Sequence, residues 1–233
     1  MSVISEKVIS TDVVKPARVA KRKRFVLRRV PWNLYRRLRN IPENRHTRMT
    51  YLDGTLILMA PEFRHEVGAE RLGVFIRAVA EECNIPFAGA RSTTFSLKQP
   101  GERKGAAKEP DNSFYFANEA QVRDKHSIDL EIDPPPDLAI EVDNTRSSLA
   151  KLTVYARLGI PEVWRYDVNR GTLWFGQLTE NGTYQEIDQS ISLPMLTPAI
   201  VLEQLQRCLG RAESEWGRLI RVWVRETLAD QGD

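Results

Sequence analysis

The segment Leu138-Ala139-Ile140-Glu141-Val142 constrains this chain more than any other. It is apolar on both faces of an extended backbone, as a central strand covered on each side must be. It therefore predicts a layered α/β domain with a central mixed β-sheet flanked by helices. The same run holds a carboxylate, Glu141, where an ionised side chain is costly unless it is paired or bound to a metal.

The rest of the chain supplies the flanking layers. Val30 to Leu38 reads as a short helix opened by Pro31. Asp53-Gly54, between the β-prone runs 49–52 and 55–59, signals a hairpin. Leu72, Phe75, Ile76, Val79, Ala80 and Cys83 recur at helical spacing over His65–Cys83. Strand-like segments follow at Phe87–Leu97 and Ser113–Phe116, separated by a Gly- and Lys-rich loop, Gln99–Lys108. A helix is expected from about Ser147 to Leu158, stopped by Gly159. Val163–Asp167 is the next strand, and Leu173–Leu178 pairs with Tyr184–Ile187 across Asn181-Gly182. Two helices close the chain. The first is opened by Pro198, and the last carries Trp216, Leu219, Ile220 and Trp223 on one stripe, which can be buried on its own domain or on a second copy.

Charge is uneven. Between Lys15 and Arg48 there are thirteen Lys or Arg and one acid, Glu43, which leaves 21 basic and 30 acidic residues elsewhere. A basic arm on an acidic body can neutralise the phosphates of a nucleic acid, and it can equally be a solvated tail. The expected organisation is a basic, disordered arm at 1–24, a domain at 25–209 and a helical extension at 210–233. No run is long and apolar enough to span a bilayer, and the start lacks a secretory pattern. Cys83 and Cys208 are far apart and read as buried free thiols of a cytoplasmic protein.

Asp111 follows Glu109-Pro110 at the mouth of a strand, and Lys151 lies in the opening of the helix after Glu141. Two carboxylates and a lysine suit divalent-metal phosphodiester hydrolysis. They also suit a buried Glu141–Lys151 ion pair with Asp111 as a turn residue. His65 can cap or pack a helix start, and Tyr155 and Trp164 read as core.

The segments MTYLDGTLILMAPEFRHE (49–66), EPDNSFY (109–115), PPDLAIEVDNT (135–145) and SLAKLTVYARLGIPEVWRYD (148–167) resemble the Uma-two family of restriction endonucleases, placed in the PD-(D/E)XK nuclease superfamily. The resemblance covers roughly residues 25–205. It implies a restriction-endonuclease-like fold, an Mg²⁺- (or Mn²⁺-) dependent endonuclease acting on DNA, and Asp111 and Glu141 as metal ligands. The superfamily's lysine belongs two residues after that glutamate, where this chain has Asp143. The lysine is displaced onto the next helix as Lys151, and Asp143 is then a third ligand or a cap. Glu66 matches a position that often supplies another acid. A homodimer is compatible with this reading. A catalytically inactive nucleic-acid-binding or protein-interaction protein of the same fold is the alternative.

Overall fold

In the computed structural model the described residues are 24–60, 62–143 and 149–228. The expected arm up to residue 23, and the Ser147 start of the helix after Glu141, lie outside them. In chain order, β1 (Arg24–Leu27) and α1 (Trp32–Arg39) lead through a 3-10 turn (Pro42–His46) into β2 (Arg48–Leu52) and β3 (Thr55–Met59). Asp53 and Gly54 join β2 to β3 with φ of 42° and 86°. Positive φ at both central residues matches the twist of a two-residue hairpin, so the Asp-Gly signal is realised.

There follow α2 (Phe63–Glu82), β4 (Ala88–Gly89), β5 (Phe95–Lys98), β6 (Gly105–Lys108), β7 (Asn112–Tyr115), the single turn α3 (Glu119–Val122) and β8 (Leu138–Asp143). The chain continues through α4 (Leu149–Arg157), β9 (Glu162–Asp167), β10 (Thr172–Leu178), β11 (Tyr184–Glu186), α5 (Pro198–Gln206) and α6 (Glu213–Thr227).

The central mixed sheet is present, with strand order β11-β10-β9-β8-β7-β4. Its β8–β9 pair is parallel, and the other pairs are antiparallel. α4 makes the crossover that a parallel pair requires. Side chains alternate along β8. Ile140 and Val142 enter a core with Leu72 and Ile76 of α2 and Trp216 of α6. Ala139 enters another with Val154 and Tyr155 of α4 and Phe95 and Ala106 of β5 and β6. Glu141 and Asp143 share the face of Ala139, the face that α4 covers.

A second sheet, order β1-β3-β2-β6-β5 and antiparallel throughout, was not anticipated. The segment expected to be a loop, Gln99–Lys108, ends as β6, a central strand of this sheet with all four residues buried. Its small residues Gly105, Ala106 and Ala107 carry little strand signal, yet Ala106 fits beneath α4, Ala107 fits against Trp32 and Tyr35 on the other face, and a Cβ on Gly105 would lie 2.9 Å from the Trp32 ring. Phe87–Leu97, read as one strand-like segment, is two strands in different sheets. The backbone switches between them beside Arg91, whose φ is 48°.

The α6 stripe is buried in its own chain. Trp216, Ile220 and Val224 join the core beside α2, while Leu219 is exposed. Among the described residues no helix is long and apolar enough to cross a membrane.

Candidate active site at the seam of the two sheets

Between β6 and β7 the chain passes from one sheet to the other in three residues, Glu109, Pro110 and Asp111. Proline has no backbone N–H to lose at such a break in pairing. Asp111 then continues the ladder of β8 in two ways. Its own N–H donates to the Ile140 carbonyl at 3.0 Å, and its Oδ2 accepts the Val142 N–H at 2.7 Å. The carboxylate is thus fixed opposite Glu141 by backbone pairing.

His65, in the first turn of α2, places Nε2 3.0 Å from Asp111 Oδ2. α2 can approach the sheet this closely because of its glycines. A Cβ on Gly68 would lie 2.9 Å from Val168, and one on Gly73 would lie 2.4 Å from Asn112. Burial works to lower the imidazole pKa, but the Asp111, Glu141 and Glu66 carboxylates outweigh it, and the net shift is upward. Glu66 stands at the rim, 3.3 Å from Arg48 and 3.2 Å from His65 Nδ1. It reaches Asp111 only through that histidine.

Glu141 is fully buried and engaged on both oxygens. Lys151 contacts Oε1, while Lys108 approaches Oε2 at 3.0 Å and the Tyr155 hydroxyl donates to Oε2. Burial alone would raise its pKa, but the two ammonium groups prevail and hold the carboxyl well below the usual range. For Lys151, burial is opposed by Glu141, Asp143 and Asp111, and the ammonium is held well above its ordinary value. Burial and the Glu141 charge push the Tyr155 phenol up, so it remains a donor. Lys151 also donates to Asp143 Oδ1 at 2.9 Å, while Arg165 holds the other oxygen at 3.3 Å.

The structure therefore gathers Asp111, Glu141, Asp143 and Lys151, with Glu66 one shell removed. It adds Lys108, which sequence reading missed because a lysine in a Gly- and Lys-rich stretch looks like solvated surface. Its place three residues before Asp111, in the same corner, was the available signal. Tyr155, read as core, is core along its ring and a hydrogen-bond donor at its tip. Asp137, read as a strand entrance, accepts from the Phe116 and Asn118 backbone at 2.7 and 3.1 Å.

A cavity of about 20 Å³ is lined by His65, Lys108, Glu109, Asp111 and Glu141, among others. That is room for roughly one water-sized particle, since a water needs about 10–15 Å³ by this measure. Two carboxylates facing such a space fit a hard divalent ion, which takes one or two carboxylates and completes its shell with water and phosphate. Among the described residues no group of three or more His, Cys, Asp or Glu side chains is placed to hold a metal ion.

The Uma2 family model, described as "Putative restriction endonuclease", matches residues 32–209, a span that includes every residue of this site. Among solved structures, a chain from Anabaena variabilis described as "a putative nuclease belonging to DUF820" aligns with a TM-score of 0.46 and 14% identity. The alignment covers 66% of this chain and 89% of that one. No curated protein matches.

Proposed function

This chain belongs to the Uma2 family, and from that premise we propose that it is a divalent-metal-dependent endonuclease hydrolysing DNA phosphodiester bonds at Asp111 and Glu141. The observation that carries the reading is the pair of buried carboxylates, one fixed by backbone pairing and one held ionised by two lysines, around a cavity of ion size. Asp111 and Glu141 would hold Mg²⁺ or Mn²⁺, with Asp143 a candidate third ligand. The ion, when bound, supplies Lewis acidity to a phosphate oxygen and to an attacking water.

The chain's own groups do the rest. Tyr155 and Lys108 fix the orientation of Glu141 and keep it anionic. His65 braces Asp111 and is itself steadied by Glu66. Lys151 carries its charge to the edge of the cluster, where its flexible stem can follow the scissile phosphate and stabilise charge that develops in the transition state. The free thiols Cys83 and Cys208 fit the reducing cytoplasm.

One observation favours a second reading. The Glu141 carboxylate already has three donors, so the cluster can be structural in a nucleic-acid-binding protein without turnover. Titration calorimetry with Mg²⁺ and Mn²⁺ separates the two. The nuclease reading expects binding by wild type that Asp111→Asn weakens strongly. Equal affinity in both proteins would leave the structural reading standing.

A further inference from the structure

Outside the site, one stretch of the surface is charged in a way the fold does not use. In the mixed-sheet half many arginines are tied to acids, as Arg165 is to Asp143 and Arg225 to Glu82. The stretch from α1 to β2 differs. Arg39 and Arg48 turn inward, Arg39 to Glu109 at 2.7 Å and Arg48 to Glu66 and the Pro110 carbonyl. Arg36, Arg37 and Arg45 are exposed and pair with no acid among the described residues, although Arg45 Nε donates to the Pro42 carbonyl at 3.0 Å.

Their place in the fold matters as much as their freedom. Arg39 ends α1, and the Glu109 it grips lines the same cavity as Asp111 and Glu141. Arg36 and Arg37 stand within one turn of Arg39, about 5 Å along the axis. Arg45, in the following 3-10 turn, stands three residues before Arg48. Arg36 and Arg37 thus sit in the last turns of the helix whose Arg39 reaches the cavity's Glu109, and Arg45 sits on the 3-10 turn that follows it. Cations in a last helical turn also complement the helix dipole, but that accounts for neither Arg45, which lies beyond the helix, nor the scarcity of acids. The cluster's own cations, Arg39, Arg48, Lys108, Lys151 and Arg165, are taken up by its acids, so cations that attract a polyanion must come from outside it.

We propose that Arg36, Arg37 and Arg45 form a phosphate track that seats the backbone of DNA beside the carboxylate cluster, an assignment that rests on the nuclease reading. Exposed guanidinium groups beside a duplex contact phosphates first, which positions the duplex without reading its sequence. Each phosphate neutralised releases counterions, so the track should appear in the salt dependence of binding.

The test measures binding of a labelled 20-base-pair duplex, without added metal, across a salt series by fluorescence anisotropy. It compares the full-length wild type with Arg36→Gln/Arg37→Gln/Arg45→Gln and with a control, Arg207→Gln/Arg211→Gln/Arg218→Gln, on the turn between α5 and α6 and on α6 itself. The track expects the slope of log affinity against log salt to shrink by roughly 2–3 in the first variant, about 0.9 per lost contact, and to stay unchanged in the control. The three single variants should each remove about one third of that change, which guards against a folding defect in the triple variant. An unchanged slope, an equal effect of the control, or no duplex binding by wild type overturns the track. Wild type that binds with the expected slope but cuts nothing with Mg²⁺ upholds the track and defeats the nuclease reading. Cleavage by wild type with an unchanged slope in the variant does the reverse.

Discussion

Replacing Glu141 by glutamine removes one charge and strands another. Lys108 and Glu141 lie 3.0 Å apart, with their side chains 4% and 2% exposed. At an effective dielectric of about 20, unit charges at that distance attract by roughly 5–6 kcal/mol, and desolvation of the two ions takes back a large share. Removing one partner of such a pair costs about 3–5 kcal/mol, because the other stays buried and unpaired. Glu141→Gln falls in that range, since Lys151 retains Asp143 but Lys108 keeps only the Glu109 carbonyl at 3.4 Å and the Tyr155 ring. Lys108→Met should cost less, about 1–2 kcal/mol, because Glu141 keeps Lys151 and Tyr155. The double variant leaves no stranded ion, so it should be more stable than the sum of the single losses by about 2–3 kcal/mol. Urea unfolding of the four proteins at pH 7 reads this directly. The carboxyl of Glu141 titrates below its ordinary value of 4.5. Its contribution is therefore complete above that pH and is lost as pH falls further, through the folded-state value. Single losses that add to within about 0.5 kcal/mol at pH 7 would refute the buried pairing.

Lys151→Ala and Lys151→Arg should lower cleavage of saturating DNA at least tenfold and leave DNA affinity nearly intact, as removing a transition-state contact does; wild-type rates in both would reduce Lys151 to a structural partner. Trp216→Ala should cost about 3–5 kcal/mol in urea unfolding with no change in sedimentation, because its stripe is spent on α2; a changed oligomeric state at unchanged stability would place α6 between copies instead. Asp137→Ala should cost about 2–3 kcal/mol, since it orphans the Phe116 and Asn118 N–H groups and the Asn118 amide; a neutral change would show that water replaces them.

What the sequence revealed followed from conflict and from punctuation. Glu141 stood out because a carboxylate in an apolar run needs a partner, and the hairpin at Asp53-Gly54 because few residues take positive φ at two successive positions. Lys151 was legible as a lysine at a helix opening, suited to a metal site or to an ion pair with Glu141. Ten residues of spacing do not fix where a helix start will fall, and only the resemblance gave it the superfamily lysine's role. The five-stranded sheet was hidden by its composition. β6 is a run of small residues ending in lysine, β1 is exposed along its whole length, and β5 is only four residues long. Lys108 was hidden with them, because burial of a lysine is set by tertiary packing and its nearness to Asp111 was the one local mark it left.

The central claim is most directly tested by incubating supercoiled plasmid with wild type and with Asp111→Asn, in Mg²⁺ and in excess chelator, and resolving nicked and linear products on a gel. The account predicts cleavage by wild type only when the ion is present, and loss of at least a hundredfold in rate for Asp111→Asn at unchanged fold by circular dichroism. Cleavage that survives the chelator, or that Asp111→Asn performs as fast as wild type, would contradict it.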